Sequence, residues 1–106
     1  MSINNHQKKL LRSIGHTLKP IVTVAGNGLT DRVLQEVRRA LSDHELVKVK
    51  LAIIDRQQRS ATINRICHLT QAEAVQAVGK TALLYSPAAE PNIKLSNVNI
   101  HRSALL

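Results

Sequence analysis

Apolar positions along the chain recur with two different periods. Between about Asn5 and Leu18, residues Leu10, Leu11, Ile14 and Leu18 fall at helical spacing, while Lys8, Arg12 and His16 repeat every four residues on another face. The spacing predicts an amphipathic helix with a cationic stripe, with Lys9 and Lys19 nearby, stopped by Pro20. Pro20-Ile21-Val22-Thr23-Val24 reads as a first strand. A second helix opens at Thr30 or Asp31, either of which can cap it, and turns Val33, Leu34, Val37 and Leu41 inward. On its outer face Glu36 is spaced to pair with Arg32 or Arg39, and Asp43-His44-Glu45 closes it.

From Leu46 to Ile53 the period changes to two. Val47, Val49, Leu51 and Ile53 point one way, and Lys48 and Lys50 stand side by side on the other face of a strand. Asp55 with Gln58 predicts a capping box at the start of a third helix that buries Ile63, Ile66 and Cys67. Ala74 to Val78 and Thr81 to Tyr85, split by Gly79-Lys80, read as a β-hairpin. After Pro87 the chain is rich in Asn, Ser and Pro. Residues 88–106 are expected as an extended or partly disordered tail, in which Ile93, Leu95, Val98 and Ile100 are the apolar positions.

The order α-β-α-β-α-β-β predicts an α/β fold over residues 1–87, a two-layer domain with a mixed four-stranded sheet. Each βαβ unit is expected to place its strands as parallel neighbours, with the hairpin adding an antiparallel pair.

Composition narrows the function. A chain of 106 residues supports one core, and this core is aliphatic, with neither Phe nor Trp and Tyr85 as the sole aromatic. That argues against modules that stack bases on sheet aromatics. Fifteen Lys and Arg against seven Asp and Glu give a net charge of +8, and the first thirty residues hold four cations and no carboxylate. A polyanion is the expected partner. Cys67 stands alone, so no intrachain disulfide forms and a reducing cytoplasm is the expected location. No apolar run suits a signal peptide or the ~20 residues of a membrane span. His6, His16, His44, His68 and His101 are scattered, and Cys67-His68 diverge by about 100° on a helix. No enzyme activity, metal or cofactor is expected.

One segment carries candidate chemistry. Ala25-Gly26-Asn27-Gly28-Leu29 lies between a strand and a helix N-terminus, a place where backbone N–H groups and the positive helix end converge on an anion. A dinucleotide fingerprint would need Gly or Ala at position 31, where Asp31 stands, and the GK[ST] ending of a P-loop is missing. A turn that needs positive φ at Asn27 and Gly28 for purely structural reasons is the other reading.

The ordered series Leu18-Lys19-Pro20, Gly26-Asn27-Gly28-Leu29-Thr30, His44-Glu45-Leu46, Val47-Lys48-Val49-Lys50, Asp55-Arg56 and Val78-Gly79-Lys80-Thr81 with Leu84-Tyr85 resembles the CRM domain family, the chloroplast RNA splicing and ribosome maturation domain, in its small stand-alone bacterial form. The resemblance runs from about Lys8 to Pro87. It implies a fold similar to the C-terminal domain of translation initiation factor 3, an RNA-binding role, and association with the precursor of the large ribosomal subunit. The family's loop is GxxG. Its first glycine falls on Ala25 and its second on Gly28, so either Gly26 takes over the flexibility or Ala25 keeps ordinary φ.

The resulting expectation is a monomeric RNA-binding protein on large-subunit ribosomal RNA. Gly26, Asn27, Gly28 and Thr30 would cradle phosphates; Lys8, Lys9, Arg12, Lys19 and Arg32 would extend the positive surface; Lys48 and Lys50 would add to it if their sheet face is open. The alternative is a protein-interaction module that docks on ribosomal proteins or assembly factors.

Overall fold

Asn4 starts the first helix through a reciprocal capping box: its side chain accepts from the Gln7 amide at 2.8 Å, and the Gln7 side chain accepts from the Asn4 amide at 2.9 Å. In the computed structural model, which describes residues 3–105, this helix (α1) spans Asn5–Gly15. It stops three residues short of Leu18, and the Leu18 amide folds back onto the Gly15 carbonyl. Strand β1 is Pro20–Val24, α2 is Asp31–His44, β2 is Leu46–Leu51, α3 is Arg56–Thr70, β3 is Glu73–Val78 and β4 is Thr81–Tyr85. Thr30 caps α2 by accepting from the Val33 amide. Asp55 caps α3 through the Gln57 amide, so it bonds one residue earlier than the expected Asp55–Gln58 box.

The four strands form one mixed sheet in the order β1-β2-β4-β3. β1 and β2 are parallel neighbours, as the first βαβ unit requires. The second unit departs from expectation: β3 runs parallel to β2, but β4 is inserted between them, antiparallel to both. Side-chain character explains the order. Ala82, Leu83, Leu84 and Tyr85 are all buried, so β4 needs cover on both faces and takes a central place. In β3 only Val75 is fully buried, and its polar positions suit an edge.

Alternation divides the core. Val47, Val49 and Leu51 of β2 join Val22 and Val24 of β1, Ala82 and Leu84 of β4, Val37 and Leu41 of α2, and Ile63 and Ile66 of α3 on one face. Leu46, Val75, Leu83 and Tyr85 meet Leu11 of α1 and Val98 on the other. The α/β class and mixed four-stranded sheet are therefore as expected, but α1 and the C-terminal segment add a partial third layer to the two anticipated.

The C-terminal segment is the larger correction. Its described part does not trail away as an extended tail; it folds back, ending in a 3₁₀ turn at Asn99–His101 and a short helix α4 at Arg102–Leu105. Glu45, which ends α2 at φ +63 and is fully buried, holds it: the carboxylate accepts from the Ala88 amide, the Ser96 hydroxyl and the Arg102 guanidinium. Asn97 donates to the Leu46 carbonyl at 2.7 Å, and Gln7 of α1 donates to the Leu105 carbonyl at 3.0 Å. Val98 is buried while Ile93 and Leu95 are exposed. Residues 1–2 and 106 and the Ile100 side chain, which belong to the expected segments, lie outside the described part.

Candidate nucleic-acid interface

Because β1 and β2 are parallel, their carboxyl ends lie together, and α2 and α3 both begin there. Backbone bonds tie three connections at this end. The Ala52 amide donates to the Val24 carbonyl at 2.8 Å, joining the loop after β2 to the end of β1, where the glycine turn begins. The Leu51 amide donates to the Lys80 carbonyl at 2.7 Å, joining the hairpin tip to β2. In open α/β sheets this is the edge where ligands bind.

The glycine turn is a β-turn closed by the Gly28 amide donating to the Ala25 carbonyl at 3.0 Å. Ala25, Gly26 and Asn27 are exposed. Gly28 alone in the turn has positive φ, at +90. Ala25 therefore keeps ordinary φ, and the positive φ expected at Asn27 is not observed. A Cβ on Gly28 would meet no atom within 4 Å, so the glycine is required by conformation and leaves open space above the turn. Thr30 satisfies the Val33 amide, which leaves the first amides of α2 directed outward beside the turn. The carboxylate of Asp31 in that first turn works against an incoming phosphate. Arg32 adjoins it and pairs with Glu36 at 3.7 Å; with side-chain exposures of 90% and 51% this is a weak surface pair that leaves Arg32 available.

The remaining candidates fall elsewhere. Lys19 precedes β1 and is separated from the turn by the length of that strand. Lys8, Lys9 and Arg12 lie on α1, across the sheet from α2 and α3, with Lys9 and Arg12 exposed and Lys8 half-buried. Lys48 is half-buried and lines a groove shared with His16 and Thr81. Lys50 is exposed, directly opposite Thr23 of β1 and Thr81 of β4, so its part of the sheet face is open beyond the end of α1. The structure thus brings Gly26, Asn27, Gly28, Thr30, Arg32 and Lys50 to one end and leaves the α1 cations and Lys19 apart from it.

Three cations that spacing alone did not single out share the loop end: Arg56 and Arg59 in the first turn of α3, and Lys80 at the hairpin tip. Arg59 donates through one Nη to the carbonyls of Ile53 and Ile54, at 2.8 and 2.7 Å, which fixes its guanidinium against the loop. The parallel-strand rule carried the signal, since it puts the start of α3 beside the start of α2. Four carboxylates, Asp43, Glu45, Glu73 and Glu90, sit away from this end, whereas Asp31 and Asp55, at the starts of α2 and α3, share it with these cations.

Among the described residues no group of three or more His, Cys, Asp or Glu side chains is placed to hold a metal ion, and no helix is long and apolar enough to cross a membrane. Burial, and then the nearby Glu73 charge, push the Cys67 thiol above its ordinary value, which makes it a poor nucleophile.

Comparison with known proteins identifies the family. Residues 3–86 match the CRS1/YhbY (CRM) domain model. A probable RNA-binding protein of Pseudomonas aeruginosa is 48% identical over 99 residues, covering 93% of this chain and 95% of its own. An RNA-binding protein of Haemophilus influenzae is 43% identical over 94 residues, covering 89% and 95%. The solution structure of a hypothetical Staphylococcus aureus protein shares the fold, with a TM-score of 0.75 over 84% of this chain and 93% of that one, at 24% identity. The family and its relatives' names point to RNA binding rather than catalysis. A glycine turn at the carboxyl end of a β1-β2-β4-β3 sheet, a match over 84 consecutive positions and relatives covered almost end to end make the chain a member of the CRS1/YhbY (CRM) domain family.

Proposed function

We propose that the protein is a monomeric, cytoplasmic RNA-binding protein that engages structured large-subunit ribosomal RNA in a precursor particle. The turn at Gly26-Asn27-Gly28 and the outward amides of α2 meet phosphates, and Arg32 and Lys50 flank them. Lys48, Lys19 and the α1 stripe of Lys8, Lys9 and Arg12 form a second contact on the other side of the sheet. Contacts of this kind position the protein without reading bases, so recognition follows RNA shape.

The observation that carries this reading is the open turn at Gly28, φ +90, set at the end of the sheet where Arg32, Lys50, Arg56, Arg59 and Lys80 gather. The names of the relatives support RNA as the partner class. In-cell crosslinking with sequencing of the attached RNA tests the proposal. Enrichment of large-subunit precursor sequences is expected. Crosslinks confined to other RNAs would refute the ribosomal assignment, and recovery in assembly particles without any RNA crosslink would favour the protein-docking alternative.

A further inference from the structure

Ile54 is the most exposed large apolar side chain at the loop end, with 90% of its surface open to solvent. It sits on the connection between β2 and α3, which is bonded through Ala52 to Val24 at the end of β1, just before the glycine turn, and is held at Ile53 and Ile54 by Arg59. Between α3 and the hairpin lies a groove of about 400 Å³, lined by Arg56, Arg59, Ser60 and Ile63 on one side and Ala77 and Gly79 on the other; Ile54 stands two residues before Arg56, outside this lining. Turn, Ile54 and groove follow one another along one edge of the sheet.

A phosphate backbone has no use for an isoleucine, and a base inside a duplex cannot reach one. An unstacked base can: its face needs apolar or planar cover. Most RNA modules supply that cover with aromatic rings, but the sole aromatic here, Tyr85, is buried in the second core. What this surface offers instead is an aliphatic side chain beside exposed Arg56, whose guanidinium plane can lie against a base and whose charge suits the neighbouring phosphate.

We propose that the α3–hairpin groove is a second RNA subsite, which takes an unpaired nucleotide next to the backbone held at the glycine turn. Ile54 covers the base, and Arg56 and Arg59 meet its phosphate. The favoured ligand is then a helix bordered by unpaired nucleotides, and not a continuous duplex. This rests on the RNA-binding reading above and adds the class of RNA.

The test compares two RNA hairpins with the same stem, one blunt and one carrying a single-stranded extension of about four nucleotides. Fluorescence anisotropy is read for wild type, Ile54→Ser and Ile54→Met. Wild type is expected to bind the extended hairpin about five-fold or more tighter than the blunt one. Ile54→Ser should lose that preference with its affinity for the blunt hairpin unchanged, and Ile54→Met should keep it. Because Ile54 is exposed, neither substitution disturbs the fold. Equal wild-type affinity for both hairpins, or an Ile54→Ser protein that keeps the preference, overturns the subsite and leaves the RNA-binding reading standing. A wild type that binds neither hairpin overturns both.

Discussion

Glu45 and Arg102, fifty-seven positions apart, form an ion pair in which the Glu45 side chain is fully buried and the Arg102 side chain is 32% exposed. Burial works to raise the Glu45 carboxyl, but Arg102, the Ala88 amide and the Ser96 hydroxyl together outweigh it and hold the group below its ordinary value. This one side chain joins the end of α2, the start of β2 and the returning C-terminal segment.

Glu45→Gln keeps the shape and removes the charge that Arg102 faces. A loss of about 2–3 kcal/mol is expected, below the full cost of breaking a wholly buried pair because Arg102 is partly solvated. Since the folded carboxyl titrates below its ordinary value, its contribution is complete above that value and is lost as the pH falls through the folded one. The melting gap between wild type and Glu45→Gln should stay constant above pH 4.5 and close below it. Thermal melts across that range check this, and a gap that widens on acidification would contradict it.

Gly15→Ala examines the seating of α1. The added Cβ would fall 2.5 Å from Leu83 Cδ2, and Leu83 is itself buried at 2% exposure. Overpacking costs about 1–3 kcal/mol, against a helix gain of at most about 1 kcal/mol at this last helical position. A net loss near 1 kcal/mol in chemical denaturation is expected; a more stable variant would mean that α1 can shift freely on the sheet.

Much of this architecture is legible in the sequence where the signal is local. The alternation Val47-Lys48-Val49-Lys50 sets the two faces of β2, Gly79-Lys80 marks the hairpin, and Pro20 marks the start of an edge strand. The place of β4 depends on burial of both its faces, which the run Ala82-Leu83-Leu84-Tyr85 records but hairpin chemistry does not. The return of residues 88–105 has no local signal because distant partners hold it: Glu45 holds Ala88 and Ser96, Leu46 accepts from Asn97, and Gln7 donates to Leu105. At the candidate site, Gly26 to Gly28 stand out by residue type, whereas Arg56 and Lys80 join them only through strand order.

Gly28→Asp and Gly28→Asn separate conformation from charge. Either substitution strains a φ of +90 by about 1 kcal/mol, and its Cβ enters open space. Asn tolerates left-handed geometry, so it should keep most of the stability and an intermediate RNA affinity. Asp should lose binding well beyond its loss of stability. Melting and RNA binding are measured on the same preparations; an Asp variant that binds like wild type would make the turn purely structural.

Replacing Lys8, Lys9 and Arg12 by Ala should leave the fold intact, since α1 packs through Leu11 and Gly15. RNA affinity should fall alike for all sequences, with the salt slope reduced by about one unit per lost phosphate contact. Unchanged affinity with a normal circular dichroism spectrum would make the stripe a solvated surface only.

The central claim is that phosphate contacts dominate binding, and a salt titration of wild type against structured ribosomal RNA tests it most directly. Engagement of ~4–6 phosphates predicts that log K falls against log salt with a slope of roughly −3 to −5. A slope near zero would contradict the electrostatic account.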